Sequence, residues 1–258
     1  MPRGLGIILF GIEGIGKTSF SLQFPKPLHI LPIKEPGFDN LEMVGEVPAG
    51  CTRLNCANWE DVLVAVKACQ AKTLVIDSIS GLQEYLIPYV VQTCYDGNFK
   101  AFKSFYNGLR QDCPREMSMF LDIIEFKRAQ GLNIVFCAHR KNDVDPDTGG
   151  ADVQVQTLFG DEGITGPLRK WAQAILFMSG KRNIDIVTQS AGYGQDTKVL
   201  EGKSTGAPTR LMYTSFSGYH IAKNTLHLPP VIPMGKSAIE GYTNFYNALP
   251  EPIRKNLV

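Results

Sequence analysis

Leu5-Gly6-Ile7-Ile8-Leu9-Phe10 runs directly into Gly11-Ile12-Glu13-Gly14-Ile15-Gly16-Lys17-Thr18, and the fold follows from what that junction requires. A short apolar run ending at a glycine reads as a buried strand. The eight residues after it satisfy G-x-x-x-x-G-K-[ST] at every fixed position. Glycines let backbone N–H groups turn inward and cradle phosphate oxygens. The helix expected from Thr18 to Phe24 adds the partial positive charge of its N-terminus. Lys17 reaches β- and γ-phosphates, and the Thr18 hydroxyl ligates Mg²⁺. Gly11, Ile12, Glu13, Gly14, Ile15, Gly16, Lys17, Thr18 and Ser19 are therefore the candidate nucleotide-binding residues. A chance Gly-rich turn would not need a strand before it and a helix after it.

Outward from this loop, Pro25 and Pro27 end the helix. Further apolar strands are expected at Leu28 to Ile33, at Thr73 to Ile76 ending in Asp77, and at Asn133 to Ala138 ending in His139. Helical spacing separates them over Trp59 to Ala68, Gly81 to Thr93 and Met117 to Ala129. Strands alternating with helices of this length imply crossover connections. The class is α/β: a mainly parallel sheet with helices on both faces, whose strands are continuously apolar because both sides are covered.

After the fourth strand the pattern weakens. Residues 143–165 are rich in Asp, Gly and Gln and read as a long loop. Ala174 to Met178 and Ile184 to Thr188 are expected to pair across Ser179-Gly180-Lys181-Arg182-Asn183. Arg210 to Thr214 and Tyr219 to Ala222 form a second expected pair, giving a C-terminal β-hairpin region. Ala238 to Ala248 reads as a helix. The organisation expected is one domain over 1–234 with a C-terminal extension over 235–258.

The whole-chain properties narrow the class of protein. With 258 residues, 44% apolar and 20% charged, the chain is ordinary globular material able to bury a core. A formal net charge of +1 means that nucleic-acid binding would need a local basic patch. The six cysteines form no C-x-x-C pair and no zinc spacing with histidine, so they read as reduced thiols. The N-terminus lacks a signal-peptide pattern, and no run approaches the ~18 apolar residues of a membrane span. The expectation is a soluble intracellular protein with no membrane partner.

Three carboxylate or imidazole positions flank the loop in this scheme. Asp77, closing Thr73-Leu74-Val75-Ile76-Asp77, sits where a Walker B aspartate holds Mg²⁺, with a plain turn aspartate as the alternative. Glu35, after the second strand, either orients the water attacking the γ-phosphate or is a solvated turn residue before Pro36-Gly37. His139, at the end of the fourth strand, either bonds the γ-phosphate or is satisfied by backbone.

Together these segments resemble the small RecA-like ATPases of bacteriophages, single-domain relatives of RecA in recombination and single-strand annealing. The resemblance covers residues 6–230. It rests on Gly11 to Thr18, the turn Lys34-Glu35-Pro36-Gly37-Phe38-Asp39-Asn40-Leu41, Thr73 to Ser78, Val135-Phe136-Cys137-Ala138-His139, and the late Ala222-Lys223-Asn224. It implies a RecA-like P-loop NTPase with ATP and Mg²⁺ as cofactors, Glu35 as catalytic glutamate and His139 as γ-phosphate sensor. It further implies Lys223 as a finger reaching a neighbour's site in a ring or filament. An ordinary solvated lysine is the alternative for Lys223, and Thr225 stands where the family often has arginine. The setting implied is the cytoplasm of an infected or lysogenic bacterial host.

Single-stranded DNA is the partner the resemblance implies. Lys100 and Lys103 are interleaved with Phe99, Phe102, Phe105 and Tyr106, a pattern suited to base stacking but equally to an amphipathic helix with its aromatics in the core. Arg140 and Lys141 open the 143–165 segment, whose Asp143, Asp145, Asp147, Asp152, Asp161 and Glu162 would repel phosphate. Lys198, Lys203 and Arg210 form a third basic group, or a plain exposed hairpin. Two other functions share these motifs: a P-loop motor or loader with a protein partner, and a nucleotide-gated assembly protein with incidental turnover.

Overall fold

The computed structural model describes residues 3–31, 36–104, 107–144, 151–155, 165–181, 184–186, 202–204, 209–218, 220–255 and 257. At 142–144, 151–155, 181, 184–186 and 202–204 it describes backbone alone. Six strands build a parallel sheet: β1 (Gly6–Gly11), β2 (Pro27–Leu31), β3 (Thr52–Asn55), β4 (Thr73–Asp77), β5 (Asn133–Val144) and β7 (Ala174–Lys181). Across the sheet they run β3-β2-β4-β5-β1-β7. Two antiparallel strands, β10 (Thr209–Tyr213) and β12 (Val231–Pro233), extend the β7 edge. β6 (Ala151–Val155) joins β5 and the short β11 (Lys223–Asn224) joins β7, both antiparallel.

Strand residues alternate between two apolar layers, as the two-residue period of a strand requires. Ile8, Phe10, Ile76, Phe136 and Phe177 face a core shared with α3 (Trp59–Ala68), α4 (Ile79–Tyr95), α6 (Cys113–Ala129) and α7 (Thr165–Trp171). Ile7, Leu9, Val75, Val135, Leu176 and Met178 face the other core, with α1 (Lys17–Ser21) and the tail helix α8 (Ala238–Ala248). This is the α/β sheet with both faces covered that the strand pattern predicts.

The tail packs into that second core. Ser237 caps α8, its hydroxyl accepting from Glu240 N, while Glu240 Oε2 accepts from Lys236 N. Reciprocal bonds of this kind satisfy the free donors at a helix start. Phe245, fully buried, meets Phe20 of α1 edge-on at 5.6 Å and Phe24 at 6.0 Å. Leu249 and Leu257 belong to the same cluster. Through Phe245, Leu249 and Leu257 the described part of the tail thus covers the helix that follows the phosphate loop.

Several expected pairings differ. Ala174–Lys181 is not one arm of a hairpin with 184–188; it lies beside β1, and β8 (Ile184–Ile186) pairs instead with β9 (Gly202–Ser204). Its apolar run is that of an interior strand buried on both sides. Thr209–Tyr213 pairs with β7 and β12, not with 219–222, where the pairing is a single bridge between Ser217 and His220. Within the 143–165 segment, β5 continues to Val144 and pairs antiparallel with Ala151–Val155. Pro36-Gly37 is not a strand-ending turn but the start of α2 (Pro36–Met43), with proline at the first helical position where its missing N–H is harmless. β3 gave no signal because all four of its residues are exposed at an edge.

Candidate nucleotide site

Parallel strands bring their carboxyl ends to one rim, and the candidate residues of three strands meet there. Gly11 ends β1 opposite His139 of β5 in register, and Asp77 ends β4 opposite Cys137. The chain then wraps through 12–16 into α1. Gly14 and Gly16 take φ of +70° and +101°, values that a side chain disfavours and that turn the loop's N–H groups toward a common centre.

Thr18 Oγ1 donates to Asp77 Oδ2 at 2.7 Å, although 59 residues separate them. Asp77 is 5% exposed. A hydroxyl and a carboxylate oxygen in contact at a strand end form a hard-oxygen pair of the kind Mg²⁺ prefers. Lys17, equally buried, donates from Nζ to Gly11 O at 3.1 Å and Ile12 O at 2.9 Å. Its ammonium is therefore held inside the loop by the loop's own carbonyls.

A cleft of about 420 Å³ opens over this group, lined by Glu13, Gly14, Gly16 to Ser19, Asp77 and His139. Its remaining wall is α2, through Pro36, Gly37, Asn40, Leu41 and Val44. α2 sits close: a Cβ on Gly37 would stand 3.0 Å from Thr18 Oγ1. It is clamped to β3 by Arg53, which pairs with Asp39, reaches Glu42 at 3.4 Å and covers the Phe38 ring at 5.3 Å. Phe38 in turn packs on His29 of β2 at 5.3 Å. His29 is fully buried, and desolvation pushes its pKa down to about 3. α2 escaped the sequence argument, though proline before a mixed apolar run was its available signal.

The donor set fits a magnesium nucleoside triphosphate: a cationic loop with inward N–H groups, a hydroxyl–carboxylate pair and a cleft of ligand size. His139 Nδ1 lies 3.9 Å from Glu13 Oε1 of the loop, so this histidine meets the phosphate loop, although it lies within β5 and not at its end, because the strand continues by pairing with β6. Glu35 and Lys198 lie outside the described residues, as do Phe105 and Tyr106.

The other candidates are dispersed. Lys100 and Lys103 lie on α5 (Phe99–Lys103), where Phe102 is buried against Tyr95 and Phe99, and Lys103 Nζ covers the Phe99 ring at 4.6 Å. Here the aromatic serves the core. Lys223 Nζ donates to Arg169 O and Lys170 O at 3.1 and 2.9 Å, which places its ammonium on the C-terminal carbonyls of α7, a favourable end for a cation. Burial lowers its pKa. Arg210 lies on β10, between β7 and β12. Its guanidinium donates to Gly235 O at 3.3 and 3.1 Å, and a Cβ on Gly16 would stand 3.2 Å from its Nη1. Arg210 therefore bridges the phosphate loop and the start of the tail. Lys203 lies on β9, described by backbone alone. Arg140 and Lys141 follow His139 on β5, and Arg140 shares a small cleft with Gly11, Ile12, Glu13 and His139.

Among the described residues no group of His, Cys, Asp and Glu is arranged to hold a metal by itself, and no helix is long and apolar enough to cross a membrane. The described cysteines are all free thiols. A family model described as an AAA domain matches residues 3–226. No curated protein matches the chain.

Proposed function

This chain belongs to the AAA domain family of P-loop ATPases, and we propose that it hydrolyses ATP with Mg²⁺ in the cleft between the phosphate loop and α2 and does so on single-stranded DNA. The observation that carries the nucleotide half is the Thr18–Asp77 contact at 2.7 Å, which joins the two metal-holding positions of the motif. When bound, Mg²⁺ supplies charge neutralisation at the β- and γ-phosphate oxygens. Lys17 exchanges the carbonyls of Gly11 and Ile12 for those oxygens. Thr18 and Asp77 hold the metal side, and Glu35 orients the attacking water. His139, next to Glu13, senses the γ-phosphate and passes the change along β5.

Support for DNA comes from the resemblance to phage RecA-like proteins and from Arg140 following His139 on one strand. The same resemblance supports a homo-oligomeric ring or filament in the cytoplasm of a bacterial host. The test is ATP hydrolysis with and without single-stranded DNA at low and moderate salt. Stimulation that fades with salt is expected, because phosphate contacts release counterions. Hydrolysis indifferent to DNA would transfer the reading to a motor with a protein partner, and no hydrolysis at all would overturn the ATPase itself.

A further inference from the structure

A second cleft, of about 450 Å³, lies beyond the same end of β5 and is lined by Arg140, Phe177, Tyr213, Phe216, Ser217 and His220 among others. Its wall is aromatic and already assembled. Phe177 and Tyr213 are register partners on β7 and β10, so their side chains share a face, and their rings stack at 6.0 Å with a 29° tilt. His220 completes the wall at 4.8 Å from Phe177 and 5.1 Å from Tyr213. Ser217 and His220 exchange both backbone N–H···O bonds, and Ser217 Oγ lies 2.8 Å from His220 Nδ1. Phe216, the residue before this bridge, is 71% exposed at the cleft.

Phe216 adds an open ring face to the largely buried wall of Phe177 and His220, and an aromatic face accepts a flat partner by offset stacking. Among the described residues lining the cleft, Arg140 is the one with a permanent charge. A fixed aromatic wall, hydroxyls, and a single guanidinium suit a ring attached to an anion, which is a base and its phosphate. An aliphatic segment would gain nothing from the stacked geometry or from the cation.

We infer that this cleft is a base-stacking site for single-stranded DNA, in which a base lies against Phe216 and the Phe177–Tyr213–His220 wall while Arg140 holds its phosphate. The inference rests on the proposed DNA-dependent ATPase and locates its second site. Coupling is short: His139 lines the nucleotide cleft and the next residue, Arg140, lines this one. Adjacent residues of β5 thus line both clefts.

The test compares full-length protein on an oligothymidylate and on an abasic oligonucleotide of equal length, which keeps the phosphates and removes the bases. Wild type is expected to prefer the oligothymidylate by about tenfold. Phe216→Ala should bring that ratio near one without weakening the abasic complex, and Phe216→Trp should restore it with fluorescence quenching on binding. Arg140→Ala should lower the salt slope on both oligonucleotides by about one. A Phe216→Ala protein that keeps the full ratio overturns the site while leaving DNA-stimulated hydrolysis standing. So does a variant whose ratio is intact but whose oligomer falls apart, since Phe216 then contacts another copy. If wild type binds neither oligonucleotide, the DNA reading fails together with the site.

Discussion

The two clefts flanking the end of β5 are built on different physics. The floor of the nucleotide cleft is polar and closely bonded, opposite the more apolar wall of α2: Thr18 on Asp77, Lys17 on two loop carbonyls, His139 near Glu13. Each group there is placed by a hydrogen bond or charge whose strength depends on separations of tenths of an ångström. The second cleft is held by ring contacts of 4.8 to 6.0 Å, which tolerate any flat partner. On the proposed reading, this contrast puts selectivity for a reacting group on the first side and sequence-tolerant grip on the second. It also means that substitutions should separate the two functions cleanly.

The largest separation is expected from Asp77→Asn. Loss of the carboxylate beside Thr18 should lower ATP turnover by about a thousandfold, roughly 4 kcal/mol of barrier, while oligonucleotide binding persists. Single-turnover hydrolysis and anisotropy check the two halves, and a parallel fall in both would mean that the clefts are one site.

Phe245→Ala follows in size. It removes a fully buried ring from the contact with Phe20 and Phe24, and should destabilise by about 3 kcal/mol, read as the shift in denaturant midpoint. Removal of residues 235–258 should be worse, because α1 then loses its cover. A truncated chain with unchanged stability would show the tail to be an appendage.

Acid comes third. The folded pKa of His29, about 3, lies below its unfolded value of 6.5, so the unfolded state binds the proton first and stability is lost as pH falls through that window. Between about pH 6 and pH 4 this one group should remove on the order of 2 kcal/mol. His29→Leu should flatten that limb of the stability–pH curve; an unaltered limb would assign it to other groups.

Arg210→Ala is the smallest. Its guanidinium bonds Gly235 O beside Gly16, a contact worth about 1 kcal/mol. A several-fold rise in KM for ATP with no change in DNA affinity is expected. The opposite pattern would return Arg210 to the nucleic-acid side of the comparison.

Much of the nucleotide cleft was legible because its parts are local. A phosphate loop is one contiguous segment whose glycines, lysine and threonine must stand in fixed order, Asp77 closes an apolar strand, and His139 ends the apolar part of a strand that runs on to Val144. The other wall was hidden, since α2 is an amphipathic helix of eight residues whose only advertisement was a proline. The neighbours of Arg210 and Lys223 were not legible, because 193 intervening residues separate Arg210 from Gly16 and nothing in the chain announces that α7 ends under Lys223.

The amino-acid order alone determined the α/β class, the phosphate loop with Lys17 and Thr18, the strands that carry Asp77 and His139, and the tail helix at Ala238–Ala248. These depend on short-range periodicity and on backbone geometry within a few residues. Only the tertiary structure decided that Ala174–Lys181 is an interior strand, that the tail covers α1, and that Arg140, Phe177, Tyr213, Phe216 and His220 share one cleft. Strand order and ring-to-ring packing are set by which apolar faces bury each other best, and that competition is settled between segments far apart in the chain.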